Sequence, residues 1–374
     1  MKPSVGTNLA THAQLSKSFF TNHDVSTLSI ATASVHDEQL KDVNHERFPR
    51  VDYLELQRLL NTEILDYSSY EKYTMGEVFR KLETHLRSDI YLATLGWRQS
   101  HKHDLVFAWS ERAGIPLAVY KRFLASDHCF VTMFQCWSNR QELAIKKLNL
   151  LPAMDKIVVH CESMKDMFVD LGASEDRIKV IHYSIDQKFF SPSVSIARAP
   201  GRITSVGESR SRNYAALFQA VKGMPVTLEV AGYGHWYARE KRNVVNGMLP
   251  HNVSLSRHMS HFELRDFYAS SQFVVLPVQD LVYSAGATVT LEAGAMARAV
   301  VAFHSKGISD YIIDGETGIL VEPDNSEAMR DAIQYLLSHP AEAKRLGDNA
   351  RQRIVEELNL ESYVGNIAEL LKKA

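Results

Sequence analysis

Apolar residues recur along this chain in short blocks, and the spacing within the blocks alternates between two periods. Strand-length apolar runs, several rich in β-branched residues, occur at 25–33, 104–108, 156–160, 178–182, 203–206, 226–231, 273–276 and 299–303. Between and after the later runs the apolar spacing widens to three or four, which predicts helices over 214–221, 261–269, 287–298 and 326–338. A helix over 9–20 precedes the first strand, carrying Leu9, Ala13, Leu15 and Phe19 near helical spacing. Residues 34–100 are the least patterned, with one amphipathic helix around Val78, Phe79, Leu82 and Leu86. The last helix puts Tyr363, Val364, Ile367, Leu370 and Leu371 on one stripe and so is expected to pack on a core.

Strands alternating with helices imply parallel sheets, and the alternation restarts after 191–201, a stretch holding Pro192, Pro200 and Gly201 that reads as a linker. The predicted organisation is α/β: a doubly wound, Rossmann-like domain over 1–190, a linker over 191–201, a second such domain over 202–355, and a terminal helix over 356–374. A length of 374 residues agrees, because one hydrophobic core seldom organises so long a chain. With 45% hydrophobic residues and 42 basic against 44 acidic side chains, the net charge of −2 gives no global attraction to nucleic acid or anionic lipid. A basic face around Lys121, Arg122, Lys146 and Lys147 leaves open a peripheral approach to a membrane-borne acceptor, against the alternative of a solvated charged surface. The three cysteines, Cys129, Cys136 and Cys161, are odd in number and lack Cys-x-x-Cys spacing, and the N-terminal residues hold no apolar signal core. A reducing, cytoplasmic setting is therefore expected.

The richest segment for chemistry runs from Phe273 to Phe303. A buried strand there delivers the small-residue loop Ser284-Ala-Gly-Ala-Thr288 directly into a helix. Free N–H groups at such a helix start attract an anion, and Gly286 lets a phosphate approach the backbone closely. Glu292, about one turn further on, would repel phosphate but can accept both hydroxyl protons of a ribose. A nucleoside diphosphate satisfies both features; a tight turn with a solvated glutamate is the alternative.

Leu291-Glu292-Ala293, then Ala299-Val-Val-Ala302, Gly307-Ile-Ser-Asp-Tyr311 and Asp314-Gly-Glu-Thr-Gly-Ile-Leu-Val-Glu-Pro323, resemble block by block the C-terminal domain of retaining GT-B glycosyltransferases of the family-four, group 1, type. Val180-Ile-His-Tyr-Ser-Ile-Asp186 and Phe189-Phe-Ser-Pro192 resemble the exit from that family's N-terminal domain. The resemblance implies two Rossmann-like domains facing across a cleft, the terminal helix packing back towards the first, and hexosyl transfer from a nucleotide-diphosphate sugar to an acceptor hydroxyl with retention. It places Gly207, Arg210 and Arg212 on the donor diphosphate, Arg212 matching the usual lysine, and Gly232 near the donor. His258 and Met259 match the nucleobase loop, and Ser284, Gly286, Ala287, Thr288 and Glu292 complete the donor site. Arg212, Ser284 and His160 are the catalytic candidates; Trp109, Glu111 and Trp137, following expected strand ends, and Gly6, before the first helix, are acceptor-side candidates.

Two departures stand out. The family carries a glutamate eight positions before the helix glutamate, and that position is Ser284 here, which offers hydrogen bonding without charge. The family also opens with a strand and a Gly-rich loop, whereas Val5-Gly6 is all that precedes the first helix; either it is a vestige of that loop or the first strand is omitted. No Asp-x-Asp pair occurs, so a metal-independent mechanism is expected, with the arginines and the helix N-terminus neutralising the leaving diphosphate and no cofactor beyond the nucleotide sugar. The acceptor, whether glycan, lipid or small molecule, is not named by the sequence, nor is the oligomeric state. A catalytically silent subunit that binds nucleotide sugar or a partner enzyme, and a sugar-nucleotide epimerase, remain as alternatives.

Overall fold

The computed structural model describes residues 25–34, 37–72, 78–79, 81, 83, 87–124, 127–192, 196–207, 211–232, 249–256 and 259–374. The predicted helix over 9–20, and Gly6, lie outside these residues, as does much of the helix expected around Val78.

Two six-stranded parallel sheets organise the chain. The first contains β1 (Thr27–Ile30), β2 (Glu63–Leu65), β3 (Leu105–Ala108), β4 (Cys129–Phe134), β5 (Lys156–Val159) and β6 (Ile178–Val180), in the order β2-β1-β3-β4-β5-β6. Helices α1 (Asp37–Asn44), α2 (Asp52–Leu60), α3 (Ile90–Ser100), α4 (Glu111–Leu124), α5 (Asn139–Leu148) and α6 (Glu162–Asp170) intervene. Every residue of β1 and β3 is buried, as expected of strands covered on both faces. Strand β4 went unrecognised in the sequence, although Phe130, Val131, Thr132, Met133 and Phe134 are all buried in the same way.

The second sheet contains β7 (Arg202–Val206), β8 (Thr227–Ala231), β9 (Val253–Ser256), β10 (Val274–Leu276), β11 (Val300–Phe303) and β12 (Gly318–Val321), in the order β12-β11-β10-β7-β8-β9. Its helices are α7 (Tyr214–Val221), α8 (His261–Ser270), α9 (Ala287–Ala295), α10 (Ser326–Ser338) and α11 (Pro340–Glu356), followed by α12 (Leu360–Lys373). Helix α9 stops at Ala295 rather than Arg298, because the chain turns through Ala297 at φ 53°.

In each sheet the strand order reverses once, between β1 and β3 and between β7 and β10. Ligands of open parallel sheets bind beyond the carboxyl ends of the strands at such switch points. In the first sheet the loop at that position is Ala31-Thr-Ala-Ser34, following β1. Val5 and Gly6, read in the sequence as a candidate vestige of such a loop, lie outside the described residues.

The chain crosses between the sheets twice. Helix α12 buries Leu360, Tyr363, Val364, Ile367, Ala368 and Leu371 against Tyr53, Leu56 and Trp109 in the first sheet's core. Ile185 on the outward crossing bridges to Asn359 on the return. Arg50 ties the two together, its guanidinium 2.7 Å from Asp186 and 2.9 Å from Glu361.

Candidate functional site

The second switch point is built from two short segments, one leaving β7 and one leaving β10. After Val206 the chain passes through Gly207 at φ 147°, a backbone conformation that side chains rarely adopt. The Tyr214 hydroxyl donates to the Gly207 carbonyl at 3.0 Å. Arg212 then forms an antiparallel bridge with Val278 beyond β10, and the Asn213 N–H donates to Pro277 O at 2.7 Å while its side chain caps α7. Both neighbours of the Arg212 side chain are thus pinned by backbone.

That side chain is only 8% exposed. A Cβ on Gly207 would lie 2.9 Å from its Nε, and one on Gly286 would lie 3.6 Å from Nη2, so the guanidinium occupies the space two glycines leave open. Nη1 donates to Ser211 Oγ at 3.1 Å, and Nε has no partner. Among the described residues no carboxylate pairs with it; burial lowers its pKa, and its neighbours are the phenols of Tyr214, Tyr283 and Tyr268. An arginine keeps its charge even so. A buried cation without a counter-charge is costly unless a ligand supplies one.

The segment after β10 leads into α9 with Gly286 as N-cap at φ 99°, and no side chain caps the helix. By contrast α5, α7, α8, α10 and α12 are each capped by a serine or asparagine. The first-turn N–H groups of an uncapped helix and a buried guanidinium therefore converge on one spot, an arrangement suited to a diphosphate.

Glu292 lies in the second turn of α9, 7% exposed, with Oε2 accepting the Tyr268 hydroxyl at 2.8 Å. Burial raises its pKa from 4.5 to about 7, and the Tyr268 hydrogen bond opposes that rise. A carboxyl raised on folding contributes its full stability when protonated, below about 4.5, and loses it as pH climbs through 7; the span corresponds to roughly 3 kcal/mol. Glu292→Gln is accordingly expected to melt higher than the wild type at pH 8 without ligand, by about 1–3 kcal/mol of stability, with no such advantage at pH 5. Thermal unfolding at the two pH values checks this.

The remaining donor-side candidates divide. Ala287 is buried in the first turn of α9 and Thr288 is exposed there. Ser284 is half-buried, its side chain hydrogen-bonded to the Tyr311 hydroxyl, so it faces the junction between the domains. Gly232 is buried just past β8, and Met259 lines a cavity of about 470 Å³ with Arg202, Glu229 and Glu263. Arg210 and His258 lie outside the described residues.

The acceptor-side candidates are mostly corrected. Trp109 is 4% exposed, its indole N–H donating to Ser29 Oγ at 2.7 Å inside the core, so it has no face to offer a sugar. Trp137 is half-buried and packs on Phe134 and Phe168. Glu111 is buried at the start of α4, where Oε2 accepts the Gln135 N–H at 3.0 Å, and it lies close enough to Tyr283 of the donor segment to influence its titration. His160, expected at the ligand crevice, is 2% exposed; Nδ1 donates to Ile181 O at 2.9 Å and the ring packs against Tyr183 and Tyr363. Burial lowers its pKa to about 4, which leaves it neutral. Of the basic face, Lys121 is paired with Asp155 and Lys146 with Glu142.

Sequence reasoning missed the contacts that join the two domains. The Ser163 hydroxyl donates to Val282 O at 2.8 Å, and the Cys161 thiol does so at 3.3 Å. Asp310 Oδ2 accepts the Glu162 N–H at 2.8 Å, capping α6 from the other domain. Tyr311 donates its hydroxyl to His160 O at 2.7 Å and accepts the Tyr183 N–H at 2.8 Å. The donor segment is thereby fastened to the turn after β5. Among the described residues no group of three His, Cys, Asp or Glu side chains is placed to hold a metal, and no helix is long and apolar enough to cross a membrane.

Comparison with known proteins agrees with this architecture. Residues 188–353 match the family model for glycosyl transferases group 1. The chain is 23% identical over 245 residues to the MMP alpha-(1->4)-mannosyltransferase of Mycolicibacterium hassiacum, covering 64% of this chain and 58% of that protein. It is 35% identical over 98 residues to the alpha-D-kanosaminyltransferase of Streptomyces kanamyceticus, covering 26% and 25%. The chain thus spans less than two thirds of the length of these curated relatives. Among solved structures, Anabaena HepE in complex with UDP and glucose superposes with a TM-score of 0.69 at 15% identity, covering 94% of this chain and 100% of that one. Sucrose-phosphate synthase from Thermosynechococcus elongatus gives 0.71 at 16%, covering 93% and 98%. Residues 188–353 thus carry the match to the glycosyl transferases group 1 family model, and the whole chain has a GT-B fold of two Rossmann-like domains.

Proposed function

We propose that the protein is a glycosyltransferase that moves a hexosyl group from a nucleotide-diphosphate sugar to an acceptor hydroxyl, retaining the anomeric configuration and needing no metal. The observation that carries this reading is the buried, unpaired Arg212 set between Gly207 and Gly286 at the uncapped start of α9. Arg212 and the α9 N–H groups hold the diphosphate and neutralise it as it leaves, in the place a cation would otherwise take. Glu292 accepts ribose hydroxyls. Ser284 lies at the mouth of α9, where its hydroxyl can bond the sugar once it exchanges away from Tyr311. The relatives named as mannosyl- and kanosaminyltransferase, and the neighbour in complex with UDP and glucose, support this class of donor. The free cysteines Cys129, Cys136 and Cys161 favour a cytoplasmic setting.

A thermal-shift panel of UDP, GDP, ADP and dTDP with their common sugars, run without metal on wild type and Glu292→Ala, tests the donor site. One nucleotide is expected to raise the melting temperature of the wild type alone; a wild type unmoved by all four sinks the reading. Product NMR of the anomeric proton then tests retention. Ser284, uncharged where the family has glutamate and hydrogen-bonded to Tyr311, favours one second reading, a subunit that binds nucleotide sugar without transfer. Saturable binding with neither transfer nor sugar release would establish that instead.

A further inference from the structure

The donor-site reading leaves one buried group unexplained. Tyr268 on α8 is 0% exposed, and its hydroxyl donates to Glu292 Oε2 at 2.8 Å. A phenylalanine would fill the same space against Phe190 and Phe267, so packing alone does not call for the hydroxyl. Placing an O–H against a buried carboxylate makes chemical sense only if the carboxylate has work to do there.

The backbone around Tyr268 is held with unusual care. Arg298, 4% exposed, has no carboxylate partner among the described residues; its guanidinium donates to the carbonyls of Tyr268 at 3.0 Å, Ala269 at 2.5 Å, Met296 at 3.1 Å and Ala297 at 3.2 Å. These carbonyls lie in the last turn of α8 and just past the end of α9, where a cation is favoured by both helix dipoles. Arg298 therefore locks the helix bearing Tyr268 in register with the helix bearing Glu292.

Resting on the reading of Glu292 as the ribose-binding group, we infer that Tyr268 is a positioning residue of the donor site, its hydroxyl fixing one Glu292 oxygen and leaving the other open to a vicinal diol. The same bond favours the ionised carboxylate, which accepts two hydroxyl protons where the acid accepts fewer. The groups facing the pair are Tyr183 on the crossing between domains, and Arg212 and Tyr214 after β7, all of which act on Glu292 or Tyr268 through space.

The test is calorimetric titration with UDP, GDP and ADP from pH 5.5 to 8.5 on wild type, Tyr268→Phe and Glu292→Gln. For whichever nucleotide binds, wild-type affinity should fall on the acid side as Glu292 protonates. In Tyr268→Phe the midpoint of that fall should move up by about one pH unit, which makes binding about fivefold weaker at pH 7 and nearly normal at pH 8.5. Glu292→Gln should bind weakly and without that pH dependence. A Tyr268→Phe profile that superposes on the wild type while Glu292→Gln is weak overturns the positioning role and leaves the donor reading standing. Glu292→Gln binding as well as wild type overturns both. Should Tyr268→Phe fail to fold, 3-fluorotyrosine placed at 268 keeps the shape and strengthens the donor; it is expected to move the midpoint down, and an unmoved midpoint refutes the role.

Discussion

Arg212→Met is expected to lower nucleoside diphosphate affinity at least a hundredfold while leaving the ligand-free protein as stable as the wild type or more so. A bidentate guanidinium to phosphate contact comprises two charge-assisted hydrogen bonds, each worth about 1.5–3 kcal/mol, and their loss from a buried site corresponds to a factor of 100 or more. Stability should not suffer, because the charge removed is 8% exposed, has no carboxylate among the described residues, and leaves Nε unpaired. Replacing an uncompensated buried charge by an apolar chain of similar length is neutral or stabilising. Arg212→Lys should keep measurable binding, since it retains a point charge but loses the planar fork. Calorimetry and thermal unfolding of the same preparations decide the matter: undiminished affinity, or a melting temperature that collapses in Arg212→Met, would show that the side chain serves the fold rather than a ligand.

Gly307→Ala should damage both the fold and the site. A Cβ at 307 would lie 1.9 Å from the Tyr283 carbonyl oxygen, 2.3 Å from its carbon and 2.9 Å from the Ser284 nitrogen. All three are backbone atoms, so no rotamer change relieves the clash and the segment Val282–Ser284 must move. That segment receives the hydrogen bonds of Cys161 and Ser163 from the first domain and leads directly into the N-cap of α9. A destabilisation on the order of 3 kcal/mol is expected, together with loss of nucleotide binding in the fraction that remains folded. Gly365 is the control: a Cβ there meets nothing within 4 Å, so Gly365→Ala within α12 should be neutral or gain up to about 1 kcal/mol. Denaturant titration distinguishes the two, and a Gly307→Ala protein with wild-type midpoint and affinity would contradict the close approach.

Legibility in the sequence tracked how local the determinants are. Helices α7 and α10 fall where the apolar period places them, Tyr214–Val221 and Ser326–Ser338, because each is opened by a capping asparagine and carries its own amphipathic stripe. The loop into α9 could be read as an anion site because glycine, small residues and a helix start are neighbours in sequence. Trp109 and His160 misled because a strand end signals proximity to a crevice without saying which face the side chain takes: Trp109 turns into the core shared with α12, and His160 into the junction between domains.

The sequence by itself determined the two-domain α/β alternation, the position of the second switch-point loop and the residues able to meet a diphosphate there, since these follow from periodicity and from residue types that act through their immediate neighbours. Only the tertiary structure decided that Arg212 is buried without a carboxylate partner among the described residues, that Glu292 accepts the hydroxyl of Tyr268 from another helix, and that Val282 is fastened to Ser163 across the domains. The physical reason is that desolvation and hydrogen-bond pairing depend on what surrounds a group in space, and in this chain those surroundings come from segments 24 residues away in the case of Tyr268 and 119 in the case of Ser163.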